Sequence, residues 1–307
     1  GTNIEAVASD PSNPVEGQIW YNTTSNVVKG VLNNPGSWAT GNNLNTARYR
    51  LAGCGTQTAA LAFGGFSDPV VAITELWNGT NWTEVNDLGT ARYLLGGVGT
   101  STAALAFGGE SPPATPAVLN ETETWNGTNW TEVNNLNTAR YQMGTAGATN
   151  TASLAFGGTP AGAVTETWNG TNWTEVNDLN TARNSLAGAG TNTAALAFGG
   201  NEGGQTETWN GTNWTEVNDL NTARTSLAGA GTQTAALAFG GGPPDTGKTE
   251  TWNGTNWTEV NDLNVARATL GGDGTNTAAL GFGGSPYAAG YTELWNAGNV
   301  PVTFDFS

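Results

Sequence analysis

A segment of about forty residues recurs six times along this 307-residue chain, and this repetition constrains the fold more than any other feature. Each copy carries one arginine at the same place, and successive arginines are 44, 48, 43, 41 and 43 residues apart. The six are Arg48, Arg92, Arg140, Arg183, Arg224 and Arg267. Six copies of one supersecondary unit are therefore expected to pack against one another.

The fourth copy shows what the unit contains. Small residues fill Ser185–Gly190, and Ala194–Phe198 alternates large and small apolar side chains, so both are predicted strands. A third strand ends at Trp209 and a fourth begins at Trp214, with Asn-Gly, a strong hairpin signal, between them. Each copy is therefore predicted to be a four-stranded antiparallel meander, the size of one propeller blade.

Composition agrees with strands and narrows the class of function. The chain has 45 glycines and only 11% charged residues, which favours strands and turns over helices. Its formal charge of −16 disfavours nucleic acid and anionic membranes as partners. No apolar run reaches the roughly 20 residues of a membrane span, so membrane insertion is not expected.

The chemistry of the side chains argues against an enzyme. Cys54 is the single cysteine and histidine is absent, which excludes an intrachain disulfide and every histidine-based nucleophile or metal site. The repeated Arg, Glu and Trp do not form one unique constellation, so we expect no catalytic residue, metal or cofactor. A glycoside-cleaving enzyme that uses loop carboxylates is the less favoured alternative, and nothing in their spacing selects a pair.

The repeat resembles a known family. Each copy has a double glycine after the second strand, then an aromatic residue and Trp, then the arginine. This order resembles the kelch repeat, and the resemblance covers roughly residues 38 to 295. The glycine pairs begin at Gly64, Gly108, Gly157, Gly199, Gly240 and Gly283, and the tryptophans are Trp82, Trp130, Trp173, Trp214 and Trp257. The resemblance implies a β-propeller.

The ends of the repeat region indicate how such a propeller closes. The last copy stops after Trp295, whereas Trp38 lies ten residues before Arg48, as Trp173 does before Arg183. Ser37–Leu44 is therefore predicted to be a fourth strand that completes the last blade. The expected fold is all-β, a six-bladed kelch-type β-propeller of four-stranded antiparallel blades over residues 37–298.

Two flanking segments lie outside the repeats. Residues 1–36 are predicted to be an N-terminal extension with a possible β-hairpin, or a connector to a further domain. Within them, Asp10 to Lys29 resembles a short module that recurs in phage virion and environmental viral proteins. Residues 299–307 form a predicted C-terminal β tail, whose alternating apolar residues suggest pairing with another chain or an adjoining domain.

Length variation among the copies is confined to one loop. Between the double glycine and the following Thr-Glu lie 8, 12, 6, 5, 7 and 7 residues, and the remaining spacing is almost constant. In a meander this loop shares a face with the link that carries the arginine. One face therefore presents six different loops, as recognition surfaces do, although neutral drift of surface loops gives the same pattern.

Candidate ligand-binding residues follow from that face. They are the six repeat arginines with Asp68, Glu110, Glu202, Asp245 and Tyr287. The alternative for the arginines is pairing with glutamates such as Glu207 or Glu216. The tryptophan pairs are either sugar-stacking platforms or packing between blades, and the Asn-Gly-Thr and Asn-Trp-Thr sequons are either glycosylation sites or turn residues.

The expected function is a non-enzymatic binding or adhesion propeller, in a virion appendage or an extracellular protein. It would recognise a surface glycan or protein receptor through the variable loops. The alternative is a purely structural decoration or assembly domain that contacts other subunits through the N-terminal segment and the C-terminal tail. The ligand, the host and the oligomeric state stay open.

Overall fold

The computed structural model of the protein describes residues 4–12, 15, 17–111, 117–201, 203–286 and 289–304. Every regular element within these ranges is a β-strand, and none of their segments is a helix that could cross a membrane. The strands form repeated four-stranded antiparallel sheets, as the sequence pattern predicts. The all-β, propeller-like expectation is therefore confirmed.

The strands follow one another in repeat order. The N-terminal segment provides β1 (Glu5–Val7), β2 (Ile19–Asn22) and β3 (Val27–Gly41). The first sheet contains β4 (Ala52–Thr56), β5 (Ala59–Phe63), β6 (Thr74–Trp77) and β7 (Trp82–Val85). The second copy provides β8 (Gly96–Thr100), β9 (Ala103–Phe107), the short pair β10 (Glu110–Ser111) and β11 (Ala117–Val118), then β12 (Thr122–Trp125) and β13 (Trp130–Val133).

The remaining copies repeat this order. The third contains β14 (Gly144–Thr149), β15 (Ala152–Phe156), β16 (Thr165–Trp168) and β17 (Trp173–Val176). The fourth contains β18 (Ala187–Thr191), β19 (Ala194–Phe198), β20 (Thr206–Trp209) and β21 (Trp214–Val217). The fifth contains β22 (Ala228–Thr232), β23 (Ala235–Phe239), β24 (Thr249–Trp252) and β25 (Trp257–Val260), and the chain ends with β26 (Gly271–Gly274), β27 (Ala278–Phe282) and β28 (Thr292–Phe304).

The second strand of each sheet is buried on both faces. Leu196 and Phe198 point to one face of β19 and Ala195 and Ala197 to the other, and all four side chains are fully buried. The Phe198 ring lies 5.0 Å from the ring of Trp257 in the next sheet. Small residues are needed opposite such rings, since a Cβ added at Gly229 would lie 2.7 Å from Phe198 Cζ. Burial of these apolar side chains between sheets is the main source of stability.

The first strands are neighbours in a cyclic order. Each contacts the first strand of the next copy, in the order β4, β8, β14, β18, β22 and β26, and β26 in turn contacts β4. A chain of six backbone hydrogen bonds of 2.7–3.0 Å follows the same order and returns to its first residue. Each bond joins consecutive members of one set, namely Arg50, Leu94, Gln142, Ser185, Ser226 and Thr269.

We call these six residues the mouth ring. All six have φ between 53° and 57°, a conformation that costs a non-glycine residue roughly 1–2 kcal/mol. The backbone N–H of each donates to the carbonyl of the neighbouring sheet, which links adjacent sheets. The interaction between sheets is therefore what holds this local conformation.

The last sheet is assembled from both ends of the chain. β3 pairs antiparallel with β28, and Trp38 lies opposite Trp295. The sheet has the order β1-β2-β3-β28-β27-β26, so residues 37–41 take the place of a fourth strand beside β28. The pairing predicted from the spacing of Trp38 is present.

The flanking segments extend this last sheet. β2 pairs with the beginning of β3 as an antiparallel hairpin, and Asp10 bonds Trp20, Asn22 and Lys29 beneath it. The C-terminal strand pairs with β3 of its own chain up to Phe304 opposite Val28, and its predicted pairing with another chain or an adjoining domain stays a prediction. β3 and β28 are continuous strands that run through the boundaries predicted at 36/37 and 298/299.

Candidate ligand-binding face

The variable loops and the links between sheets lie together, on a surface that we call the loop face. Isolated β-bridges join the residue after a repeat arginine to the residue after the double glycine, for example Tyr49 to Phe66 and Tyr141 to Thr159. The Asn-Gly hairpins lie at the opposite ends of the strands, where Trp77 Nε1 donates to the Gln57 carbonyl at 2.8 Å. The predicted separation of loops and hairpins is confirmed.

The six repeat arginines lie beneath this face and not on it. Their residues are at most 3% exposed, and each guanidinium forms a salt bridge with a buried glutamate. The pairing alternative is therefore confirmed: these arginines, which the sequence offered as ligand-binding residues, are buried in ion pairs. The pairs are Arg48–Glu75, Arg92–Glu123, Arg140–Glu166, Arg183–Glu207, Arg224–Glu250 and Arg267–Glu293.

The fourth pair shows what this arrangement does. Glu207 lies 2.9 Å from Arg183 and accepts hydrogen bonds from the Asn180 backbone N–H at 2.8 Å and its side-chain amide at 2.9 Å. Burial lowers the pKa of Arg183, and the charge of Glu207 opposes that shift. The carboxylate thus fixes the link that enters its sheet, which is a structural role.

The tryptophans and the sequon asparagines also serve the fold. Trp77 and Trp82 are buried with their rings 5.3 Å apart, and Trp82 Nε1 donates to Thr292 of the neighbouring sheet at 2.9 Å. Asn78 Oδ1 accepts the backbone N–H groups of Thr80 and Asn81, as an asparagine does in a turn. The packing and turn interpretations are the ones that these contacts support.

The candidate loop residues that the structure describes differ in exposure. Asp68 and Asp245 are exposed, and Glu110 is 8% exposed beside Tyr93, whose pKa is raised by burial and by a hydrogen bond to Glu110. Glu202 and Tyr287 lie outside the described residues. The described part of the chain contains no group of three or more His, Cys, Asp or Glu side chains arranged to hold a metal.

A different cluster, around Arg50, occupies the loop face. The Arg50 guanidinium carbon lies 5.3 Å from the centre of the Tyr49 ring and 5.6 Å from that of Tyr93. The Phe66 ring lies between the two tyrosines, 5.5 Å from Tyr49 and 6.1 Å from Tyr93. All four residues are partly exposed. We call them the Arg50 cluster.

The sequence contains a signal for this cluster, and it lies in the positions where the copies differ. Arg50 is the one arginine that does not recur at the same place in other copies, where the residue is Leu94, Gln142, Ser185, Ser226 or Thr269. Tyrosine follows the repeat arginine in the first three copies only, and Asn184, Thr225 and Ala268 follow it in the others. Departures from the repeat, and not the repeat itself, mark the residues available for binding.

The mouth ring opens into a cavity. This cavity has a volume of about 110 Å³, and beneath the mouth ring it is lined by Leu51, Leu95, Met143, Leu186, Leu227 and Leu270. Two further cavities, of about 120 and 80 Å³, share lining residues with one another and continue along the first strands. Arg50 therefore borders the first of a series of adjoining cavities, and the layer beneath the mouth ring is apolar.

The far cavity contains one carboxylate. Asp273 stands in β26 where the other first strands carry Cys54, Val98 or alanine, and it accepts the backbone N–H of Gly55 at 2.8 Å and of Gly274 at 2.6 Å. Burial raises the pKa of Asp273 to about 7, although both hydrogen bonds oppose the shift.

This shift predicts a measurable pH dependence of stability. The folded state keeps the Asp273 proton up to about pH 7, whereas the unfolded chain loses it near pH 4. Stability should fall as the pH rises between these values, by at most about 4 kcal/mol. Asp273→Asn should remove that contribution, so its melting temperature relative to wild type should rise from pH 5 to pH 8.

The exposed Asp68 provides the control for this experiment. Thermal unfolding followed by circular dichroism at several pH values should give Asp68→Asn a constant difference from wild type. An equally constant difference for Asp273→Asn would contradict the assigned pKa.

Comparison of the sequence with models of known protein families and with curated proteins gives no match. A function is therefore inferred from the repeat, from the contacts of its residues, and from the positions at which single copies differ from the others.

Proposed function

We propose that the chain is a six-bladed β-propeller of the kelch type, closed by its N-terminal strand, that acts as a non-enzymatic binding module. It recognises a surface glycan or a protein receptor through the loop face, as part of a virion appendage or an extracellular adhesin. The cyclic order of the first strands and the pairing of β3 with β28 support the closed propeller.

The asymmetry of the loop face carries the functional proposal. The buried layer is nearly identical in every copy, including the Arg–Glu pairs and the apolar second strands. Aromatic rings and a partly exposed guanidinium gather on one side of the loop face, around Tyr49 and Tyr93. Aromatic faces with a few polar groups suit recognition of sugars and protein side chains.

A virion or extracellular setting rests on the resemblance of Asp10–Lys29 to a virion module. In the structure this segment adds β2 to the last sheet, on the side of β3 away from β28. We infer that it joins the propeller to other subunits and leaves the loop face free.

The second candidate is a structural decoration or assembly domain. The observation that favours it is the extension of β3 and β28 beyond the repeats. Residues 298–303 of β28 pair with β3, while β27 ends its pairing at Asn296, so the other edge of residues 298–303 has no partner strand among the described residues. Such an edge suits addition of a strand from a neighbouring subunit.

Exchange of the loops distinguishes the two candidates. In the test variant, each loop from the double glycine to Thr-Glu is replaced by the fourth one, residues 201–205. The binding module predicts that hits on a glycan array, or on receptor-bearing cells, fall at least tenfold in this variant, because the differing side chains are removed from an intact scaffold. Fluorescence of bound, labelled protein is the readout.

Changes on the opposite face provide the matched control. Thr80→Ala, Thr128→Ala and Thr171→Ala alter exposed side chains in the Asn-Gly hairpins and should leave binding unchanged. Binding that survives the loop exchange, or no binding by the wild type to any glycan or cell surface, would refute the binding module and favour the structural candidate.

A further inference from the structure

Almost all lysine and arginine side chains of this acidic protein form salt bridges with carboxylates. Of the nine lysines and arginines, six are the repeat arginines, which are paired with buried glutamates. Lys29 lies 2.7 Å from Asp10, and Lys248 lies 3.2 Å from Glu259. Among the lysines and arginines, Arg50 alone forms no salt bridge with a carboxylate that the structure describes.

The surroundings of Arg50 hold its guanidinium in place without neutralising it. The rings of Tyr49 and Tyr93 restrict the group by cation–π contacts and leave its charge available. The nearby Glu110 is 8% exposed and hydrogen-bonded to Tyr93. A restricted guanidinium loses less conformational entropy when it binds a ligand.

The rest of the mouth ring has a complementary character. Gln142, Ser185, Ser226 and Thr269 line the same cavity that Arg50 borders. Ser185 Oγ donates to Asn184 Oδ1 and Thr269 Oγ1 donates to the Ala268 carbonyl, so these two hydroxyl groups are left as acceptors for a ligand. A ligand there meets one cation, several neutral polar groups and an apolar floor. This combination suits a sugar with a single negative charge. The cation can bind its carboxylate, the neutral polar groups can bind its hydroxyl groups, and the apolar floor can contact its ring face.

We propose that the mouth ring and the Arg50 cluster bind a carboxylated saccharide unit, with Arg50 as the residue that recognises the carboxylate. The planar guanidinium forms paired hydrogen bonds with a carboxylate, and the tyrosine and phenylalanine rings face the sugar. This assignment rests on the proposed binding function and names its ligand class.

Isothermal titration with three sugars tests the assignment. D-Glucuronate carries the carboxylate, D-glucose is the neutral counterpart, and D-glucose 6-phosphate carries a different anion at the same carbon. Glucuronate should bind at least tenfold more tightly than the other two. Its affinity should also fall with added salt, because an ion pair at a partly exposed site is screened.

Two variants assign the effect to Arg50. Arg50→Leu gives the first copy the residue that Leu94 provides in the second, which has the same positive φ, so the fold is expected to persist. It should weaken glucuronate binding by roughly 10- to 100-fold. Lys248→Gln removes an equal charge from another loop and should change the affinity less than twofold. Thermal unfolding checks that both variants are folded.

The outcomes separate this inference from the function on which it rests. Equal glucuronate affinity in wild type and Arg50→Leu, no glucuronate binding, or tighter binding of the phosphate sugar would each overturn the carboxylate assignment. Array hits that are restricted to neutral glycans and are lost on loop exchange would also overturn the carboxylate assignment. They would still support the binding module. The loop exchange also removes Phe66. Arg50-dependent glucuronate binding that is unchanged by the exchange would therefore support Arg50 as the residue that recognises the carboxylate, and it would refute both recognition by the loops and a contribution of the Phe66 ring.

Discussion

Replacing Glu207 with glutamine is expected to destabilise the protein by about 3–5 kcal/mol, the cost typical of breaking a buried ion pair from one side. The substitution leaves the guanidinium of Arg183 buried and without its counter-charge. It also weakens the bonds from Asn180 that hold the link between β17 and β18. Urea denaturation at pH 7 measures the change in the free energy of unfolding.

The same sheet contains a matched control. Glu216 lies directly opposite Glu207 in the strand register but is exposed, so Glu216→Gln should change the free energy of unfolding by less than about 0.5 kcal/mol. The double variant Arg183→Met, Glu207→Gln should be more stable than Glu207→Gln alone, since no buried charge is left unpaired. Similar small effects for Glu207→Gln and Glu216→Gln would show that the pair does not anchor the link.

Trp38→Ala should have a comparable effect, about 3–5 kcal/mol, because it removes a buried ring from the strand that joins the two ends of the repeat region. The Trp38 ring lies 4.9 Å from Phe239 and 5.4 Å from Trp295, and Nε1 donates to Thr249 Oγ1 at 3.1 Å. β3 is held beside β28 by contacts between residues far apart in sequence, so its weakening should expose the edge of β28. Urea denaturation and limited proteolysis provide the measurements.

Trp130 provides the matched control, since it stands in β13, the fourth strand of the second sheet, at the place that Trp38 has in the last sheet. Its ring is partly exposed near Gly89, which stands where other links carry asparagine. β13 is joined directly to its partner strand β12 by the Asn-Gly hairpin, whereas β3 and β28 come from opposite ends of the repeat region. Trp130→Ala should therefore be milder and should not open its sheet to protease. Cleavage near residues 37–47 in Trp38→Ala, without cleavage near β13 in Trp130→Ala, is the expected pattern. Equal resistance in both variants would show that β3 stays paired without its tryptophan.

The repeat made much of the fold predictable. The second strand of the fourth copy lies at Ala194–Phe198 as predicted, and the third and fourth strands end and begin at Trp209 and Trp214. The first strand begins at Ala187 and not at Ser185, because Ser185 belongs to the mouth ring and has a positive φ. A run of small residues gives no signal of such a conformation, which depends on a hydrogen bond from the neighbouring sheet.

The candidate site was less predictable. The repeat arginines were predicted to bind a ligand because they recur. They recur because each one forms an ion pair with a glutamate of its own sheet. Arg50 does not recur in the other copies, so a pattern built on similarity between copies does not identify it. Its contacts with Tyr49 and Tyr93 join two adjacent copies, which local sequence does not predict. The pairing of the C-terminal strand with β3 also joins segments that no local pattern connects.

The sequence by itself determined the strands, their order within each sheet, and which loops share a face, because alternation, Asn-Gly turns and fixed spacing are local properties of the chain. Only the tertiary structure decided which charges are buried, which residues adopt positive φ, and which side chains line the cavities beneath the mouth ring. Those outcomes depend on desolvation and on contacts between neighbouring sheets, and they arise only when the copies pack together.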